Sequence, residues 1–151
     1  MRLAVSSGVN DAPMKVEALM SREVRTLTAK DTVRHALDMM HGFDIRHVPV
    51  LGPDDATLVG LVSDRDLREY TVPTLVQVRD PAQHEAFMTT PLDEVMRVGL
   101  ICVEPGDLLR DAIRVMLDYK VGAVPVVETG SKRLCGILSY VDVLKVAVER
   151  V

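Results

Sequence analysis

The chain has 151 residues, of which 48% are hydrophobic, enough to bury a core in one compact unit or in two small subdomains that share an interface. Its formal net charge of −4 argues against nucleic-acid binding, because that affinity comes from a basic surface. No apolar segment reaches the roughly 18 residues of a membrane span, and the N-terminus lacks the apolar stretch of a signal peptide. We therefore expect a cytoplasmic protein that binds neither nucleic acid nor membrane.

The first half of the chain predicts the order helix, strand, helix, strand, strand, helix. A small and polar N-terminal extension over residues 1–13 precedes it. The expected elements are a helix over 14–20, a strand over 24–27, a helix capped by Asp31, a strand over 45–51, a strand over 58–62 and a helix from Ser63 to about Tyr70. The Gly-Pro-Asp-Asp turn at 52–55 makes the two middle strands partners in a hairpin. Residues 14–70 therefore form the first predicted domain.

A connecting segment over residues 71–89 carries two prolines and separates this half from the next. We expect it to pack over the module, or over a partner, through Phe87. Residues 90–151 form the second predicted domain and repeat the order of elements. These are a helix over 92–96, a strand over 100–103, a helix over 108–118 capped by Asp107, strands over 121–127 and 134–138, and a helix over 140–148.

The two halves are copies of one unit. Residues 60–67 read Gly-Leu-Val-Ser-Asp-Arg-Asp-Leu and residues 136–143 read Gly-Ile-Leu-Ser-Tyr-Val-Asp-Val, 76 positions later. The same offset aligns Met20 with Met96 and the Val-Pro-Val run at 48–50 with that at 124–126. A repeat of this length is one supersecondary unit used twice, in which each copy buries a face that it could not bury alone.

Two units with a Val-Pro-Val strand and a Gly-apolar-apolar-Ser-x-x-Asp junction between strand and helix resemble a tandem pair of CBS (cystathionine β-synthase) domains, often called a Bateman module. The resemblance covers residues 16–148 except the connecting segment. It implies an α/β (α+β) fold whose repeats pack with pseudo-twofold symmetry. It also implies a regulatory, non-catalytic module that binds AMP, ADP, ATP or S-adenosylmethionine in its clefts, requires no cofactor, and forms a homodimer. The effector protein to which it would signal is not indicated by the sequence.

The resemblance assigns roles to the Ser and Asp of each motif. Asp66 and Asp142 would hold the ribose hydroxyls, and Ser63 and Ser139 would lie by the phosphates. The chemistry is suitable, because a carboxylate accepts hydrogen bonds from two hydroxyls and a helix N-terminus favours an anion. A structural alternative exists, since Ser-x-x-Asp at a helix start is also the pattern of a capping box. The two roles are compatible.

The other predicted contacts differ between the halves. The first half carries Arg46, His47 and Arg65 where the second half carries Gly122, Ala123 and Val141. Basic residues at such positions reach phosphates in the family. We therefore predict one site near the three basic residues that suits a phosphorylated nucleotide. The second site would be more apolar, and would suit a nucleoside-like ligand or stay empty.

Two predicted contacts rest on family analogy alone, and the predicted role of Arg65 has a structural alternative. Thr26 and Cys102, on the first strand of each repeat, are adenine-side contacts by analogy. Arg65 would alternatively pair with a carboxylate of its own solvated helix, at Asp64, Asp66 or Glu69.

The sequence gives little support for metal binding or for catalysis. The four histidines and two cysteines lack metal-ligand spacing, and no nucleophile has a base nearby, so we predict neither a metal site nor an enzyme. Cys102 and Cys135 lie in apolar runs and are expected to be reduced core thiols. The rival to a nucleotide sensor is a structural homodimerisation or scaffold module that binds no nucleotide.

Overall fold

The structure, a computed structural model, describes residues 12–70 and 80–151. Residues 1–11 of the predicted extension and 71–79 of the predicted connection lie outside this range. Within the described residues the strands are β1 (Leu27–Thr28), β2 (His47–Leu51), β3 (Leu58–Ser63), β4 (Ala123–Val127) and β5 (Leu134–Ser139). The helices are α1 (Val33–Phe43), α2 (Asp64–Tyr70), α3 (Pro81–Met88), α4 (Leu109–Asp118) and α5 (Tyr140–Val148), with short 3₁₀ turns at Val16–Ala18 and Leu92–Glu94.

Each half is built around one antiparallel hairpin. β2 pairs with β3, and β4 pairs with β5. The registers are equivalent, with Val50 opposite Gly60 in the first hairpin and Val126 opposite Gly136 in the second. β1 extends the first hairpin by a parallel pairing with β2. The predicted hairpins and the mixed α+β class are therefore confirmed.

The elements that open each repeat are shorter than predicted. The helices expected over 14–20 and 92–96 are single 3₁₀ turns, the strand expected over 24–27 is two residues at 27–28, and the strand expected over 100–103 is one bridge from Val103 to Val126. The backbone of the two turns is hydrogen-bonded to the other repeat instead. The amide of Val16 donates to the carbonyl of Asp107 at 2.9 Å, and that of Leu92 donates to the carbonyl of Asp31 at 2.8 Å. These long-range bonds satisfy amides at the start of each turn, which have no partner within the turn itself.

The predicted caps at Asp31 and Asp107 are wrong by one residue. The N-caps of α1 and α4 are Thr32 and Leu108. Each aspartate instead accepts, at 2.8 Å, a hydrogen bond from the backbone N–H of the residue three positions before it. The two carboxylates therefore stabilise the turns that lead into the helices.

The two hydrophobic cores do not follow the two repeats. The core around α1, β2 and β3 also contains Leu92 and Val95 from the second repeat. The core around α4, β4 and β5 contains Val16 and Met20 from the first. Each repeat thus packs its opening segment onto its neighbour. Phe87 of α3 is partly buried against the first core, so this end of the connecting segment packs over the module as predicted.

Paired backbone hydrogen bonds show the pseudo-twofold symmetry. Ser21 and Ile137 exchange two bonds of 2.9 and 3.0 Å, and Arg97 and Leu61 exchange two of 2.9 and 3.1 Å. The members of one pair lie 76 positions from those of the other. The repeats therefore meet in the same way on both sides, and each meeting point lies beside one of two clefts.

Candidate functional site

Two clefts of similar size lie between the repeats. The first, here called the Asp142 cleft, has a volume of about 400 Å³, and the second, the Asp66 cleft, about 420 Å³. Both volumes fall within the range of small-molecule sites. The Asp142 cleft is lined by the β5–α5 junction and by the segments that precede β1 and β2. The Asp66 cleft is lined by the β3–α2 junction and by the equivalent segments of the second repeat.

Each cleft is therefore composite. One repeat supplies the Ser and Asp at the start of a helix, and the other supplies the facing wall. In the Asp142 cleft that wall includes Val24 and Ile45, and in the Asp66 cleft it includes Leu100 and Val121. A ligand in either cleft would touch both repeats, so its binding would respond to their relative position.

The Ser and Asp of each motif form reciprocal hydrogen bonds. Oδ2 of Asp142 accepts the backbone N–H of Ser139 at 2.9 Å and its hydroxyl at 3.0 Å, and the amide of Asp142 donates back to Ser139 Oγ at 3.4 Å. In the first repeat, Ser63 N donates to Asp66 Oδ2 at 3.2 Å and Asp66 N donates to Ser63 Oγ at 3.0 Å. Both junctions are therefore capping boxes, in which the cap uses Oδ2 of the carboxylate and does not use Oδ1.

The second oxygen distinguishes the two clefts. Oδ1 of Asp66 receives Nε of Arg97 at 2.8 Å and Nη2 at 2.6 Å. Asp66 is 7% exposed, whereas the side chain of Arg97 is 52% exposed. Oδ1 of Asp142 accepts no hydrogen bond from the part of the chain that the structure describes. The residue equivalent to Arg97 is Ser21, which lies beside the Asp142 cleft.

Sequence reasoning missed Arg97, although a signal for it was present. Arg97 follows Met96 as Ser21 follows Met20, so extending the repeat alignment by one residue would have revealed an arginine opposite a serine. Neither residue belongs to the Ser-x-x-Asp motif, and each lies beside the motif of the other repeat only because the opening segments are exchanged.

The clefts also differ in charge. The Asp66 cleft is lined by four cationic side chains and two carboxylates: Arg46, Arg65, Arg97 and Lys120 with Asp64 and Asp66. The Asp142 cleft is lined by two cationic side chains and three carboxylates: Arg25 and Arg46 with Glu23, Asp44 and Asp142. The Asp66 cleft is therefore net positive, and the Asp142 cleft is net negative.

The structure brings together the three basic residues predicted for one site. Arg46, His47 and Arg65 all line the Asp66 cleft, and the first two also line the Asp142 cleft. The alternative partners proposed for Arg65 are engaged elsewhere, since Asp64 pairs with Arg68 at 2.7 Å and Asp66 with Arg97. The side chain of Glu69, the third alternative, lies outside the described residues.

His47 stands in the wall that the two clefts share. Its imidazole packs against the backbone of Gly122, where an added Cβ would lie 3.2 Å from His47 Cε1. Burial lowers the pKa of His47. The negative charges of Asp64 and Asp66 partly oppose this shift, and the positive charge of Arg97 reinforces it. The imidazole is therefore predominantly neutral at pH 7.

Thr26 and Cys102 are not among the residues that line the two clefts. The cleft walls come from residues 23–25 and 99–101, which precede them in the chain. Thr26 lies in a separate depression that Cys135 also lines. Both cysteines are free, but they are only partly buried, so the prediction that they lie in the core is wrong. Desolvation raises the pKa of each thiol.

Within residues 12–70 and 80–151, no cluster of three or more His, Cys, Asp or Glu side chains is arranged to hold a metal ion. Over the same residues, every helix is too short or too polar to cross a bilayer.

The sequence profile of the CBS domain matches residues 16–72 and 92–149, more than half of the chain. The chain therefore belongs to the CBS domain family, as a pair of CBS domains, and the resemblance drawn from the repeated motif is confirmed. This is a family of regulatory modules rather than of catalytic domains.

Individual relatives span most of the chain. A Vibrio cholerae protein of known structure that carries the name of an acetoin utilization protein (AcuB) is 32% identical, with a TM-score of 0.73 over 91% of this chain and 93% of its own. CBSX2, solved in complex with AMP, is 26% identical, with a TM-score of 0.72 over 89% and 96%. The CBS domain-containing protein YhcV of Bacillus subtilis is 28% identical over 84% of this chain and 81% of its own. Other curated relatives are much longer, and the chain spans 23% of one and 31% of another.

Proposed function

We propose that this CBS domain pair is a regulatory module that binds an adenosine-containing ligand between its repeats. The observation that carries the proposal is the geometry of Asp142. Its carboxylate is held by Ser139 at a helix N-terminus, directs one oxygen away from the cap, and faces an apolar wall from the other repeat. A relative of similar length, CBSX2, binds AMP, which supports the same class of ligand here.

The Asp142 cleft suits a ligand with a ribose and little negative charge. The carboxylate can accept both ribose hydroxyls, and Val24, Ile45 and Ile137 offer apolar surface for a base. Because this cleft is net negative, it disfavours several phosphates and tolerates a cation. Adenosine and the sulfonium ligand S-adenosylmethionine therefore fit it better than ATP does.

The Asp66 cleft suits a phosphorylated nucleotide such as AMP, ADP or ATP. Arg46, Arg65 and Lys120 line it, and guanidinium groups bind phosphate through paired hydrogen bonds. Ser63 lies at the N-terminus of α2, where the helix dipole adds to this preference. The two proposed sites are thus unequal, and the asymmetry of the repeats in sequence supports this part of the proposal.

Isothermal titration calorimetry with adenosine, S-adenosylmethionine, AMP and ATP tests the proposal. Asp142→Asn should weaken adenosine binding at least about tenfold, since hydrogen bonds to a charged group contribute about 1.5–3 kcal/mol. Arg65→Ala, which changes a residue of the Asp66 cleft alone, should weaken AMP and ATP but not adenosine. Asp111→Asn removes an exposed carboxylate of α4 outside both clefts and serves as the matched control. If none of the four ligands binds the wild-type chain, the proposal is wrong and the scaffold role is favoured.

Signalling requires that the ligand prefer one arrangement of the repeats over another. Because both clefts are composite, a bound ligand would act on the interface between the repeats and so on any surface that spans them. The proposal includes an effector that is a separate protein and a location in the cytoplasm. Cross-linking to partners in cell extract, with and without the ligand identified by calorimetry, checks the first part. Fractionation of cells checks the second.

Self-association is favoured by a separate observation on α5. None of its nine residues is buried. Tyr140, Leu144 and Val148 recur every four residues on one face, and the last two are 55% and 73% exposed. We propose that this stripe forms the interface of a homodimer, because such a face is stabilised by burial against a second copy. Leu144→Glu should then shift the mass measured by light scattering from dimer to monomer, while Lys145→Glu on the same helix should not.

A further inference from the structure

We infer that Arg97 sets the ligand specificity of the Asp66 cleft by occupying the carboxylate that a ribose would use, so that only a ligand with a phosphate can enter. This inference rests on the proposed function and names the residue that would make the two clefts chemically different. It concerns a residue outside the repeated motif, contributed by the repeat opposite to Asp66.

The position of Arg97 is fixed by its backbone. It exchanges two hydrogen bonds with Leu61 on β3, of 2.9 and 3.1 Å, so its side chain starts from a constant point beside the cleft. From there Nε and Nη2 converge on Oδ1 of Asp66 at 2.8 and 2.6 Å. The other oxygen of Asp66 is already bound by Ser63. Both carboxylate oxygens are therefore engaged.

A neutral nucleoside gains little from this arrangement. To bind Asp66, its ribose hydroxyls must displace a charged partner, and the nucleoside offers the released guanidinium no anion in return. The exchange would replace an ion pair between two charged groups with hydrogen bonds from uncharged hydroxyls, and it would separate the guanidinium of Arg97 from its carboxylate.

A nucleotide allows a different exchange. Its phosphate can take both N–H groups of Arg97, and its ribose can then take Asp66, so no charge loses its partner. The half-exposed side chain of Arg97 has room to move, and Arg65 and Lys120 line the same cleft. The Asp66–Arg97 pair therefore acts as a filter, since only a ligand with a phosphate can replace Asp66 as the partner of Arg97.

The Asp142 cleft is a natural comparison within the same molecule. Ser21 stands where Arg97 stands in the other cleft and exchanges the same two backbone hydrogen bonds, here with Ile137. A serine side chain is too short to span from that point to the carboxylate as Arg97 does. At this position the clefts differ by one pair of equivalent residues, so the two residues can be exchanged in an experiment.

The test isolates the Asp66 cleft in an Asp142→Asn background and measures adenosine and AMP binding by calorimetry. In this background AMP should bind and adenosine should bind poorly. Adding Arg97→Ser should improve adenosine binding at least about tenfold and reduce the preference for AMP over adenosine. In the reciprocal experiment, Ser21→Arg in the otherwise wild-type chain should weaken adenosine binding at the Asp142 cleft by a similar factor. Arg110→Ser removes an exposed positive charge from α4 and should leave both ligands unaffected.

The outcomes separate this inference from the function on which it rests. If AMP binds the Asp142→Asn chain but Arg97→Ser gives no gain for adenosine, Arg97 is not the filter and the proposed function stands. If no adenosine-containing ligand binds the wild-type chain, both fail. Arg97→Lys, which keeps the charge but cannot form the paired contact, covers the case in which Arg97→Ser does not fold. It should give a smaller gain for adenosine, and no gain would also overturn the inference.

Discussion

The exchange of opening segments between the repeats makes Gly60 a sensitive position. A Cβ added to Gly60 would lie 2.7 Å from Cγ of Met96 and 3.1 Å from its Cβ. Met96 belongs to the second repeat but packs against the first core. Since the Met96 Cβ is fixed by the backbone, rotation of the side chain cannot remove the whole clash. The absence of a side chain at Gly60 therefore makes room for a side chain of the other repeat.

Two opposing effects decide the result of Gly60→Ala. Replacing glycine by alanine in regular structure usually stabilises by about 0.5–1 kcal/mol, because the unfolded chain loses freedom. Overpacking a core costs about 1–3 kcal/mol. The clash is the larger effect, so the free energy of unfolding should fall by about 1–2 kcal/mol. Gly42→Ala, which meets nothing within 4 Å on helix α1, should instead leave stability equal or raise it by about 0.5 kcal/mol.

Urea denaturation of the two alanine variants, of Met96→Ala and of the double variant Gly60→Ala/Met96→Ala gives the required free energies. Shortening Met96 removes its Cγ, so the double variant should be more stable than the sum of the single losses predicts, by about 1 kcal/mol. If Gly60→Ala were as stable as the wild type, or if the two changes were additive, Met96 would not contact Gly60 and the exchanged packing would be wrong.

Three further outcomes are expected. Ser139→Ala should lower the free energy of unfolding by about 1 kcal/mol in urea, because it removes the cap of α5. His47→Gln should flatten the pH dependence of the melting temperature. Burial lowers the pKa of folded His47 below 6.5, so the unfolded chain binds more protons near and below that pH, and the wild type loses stability as the pH falls from about 7.5 to 5.5. Glu85→Gln should change the free energy of unfolding by less than about 1 kcal/mol, because its 2.5 Å ion pair with Arg34 is exposed.

The hairpins were predictable because their signals are local. Apolar runs with a Gly-Pro-Asp-Asp turn between them define β2 and β3 whatever surrounds them, and the second hairpin repeats the pattern. The exchange of opening segments was not predictable in this way. A duplicated sequence is compatible with residues 14–20 packing on their own repeat or on the other, because both repeats offer equivalent apolar positions. Only the long-range bonds, such as that from Val16 to Asp107, distinguish the two arrangements.

The same limit explains what sequence reasoning found of the candidate site. Asp66 and Asp142 were identified because each belongs to a short motif with its own serine. Arg97 lies 31 positions from Asp66, in the other repeat, and reaches it only because the opening segment crosses over. Residues that act within one motif are visible in a sequence, whereas a residue that acts across an interface needs the geometry of that interface.

Symmetry and asymmetry in this molecule reside in different parts of the structure. The contacts between repeats recur at an offset of 76 positions, both in the paired backbone hydrogen bonds and in the packing of Met96 against Gly60 and of Met20 against Gly136. The differences lie at cleft-lining positions, where substitution disturbs no core. Arg97 in place of serine and Arg46 in place of glycine alter charge without altering the path of the chain. A duplicated fold of this kind can therefore keep one architecture while its two clefts diverge in chemistry, and a ligand at either cleft still acts on the same pair of interlocked cores.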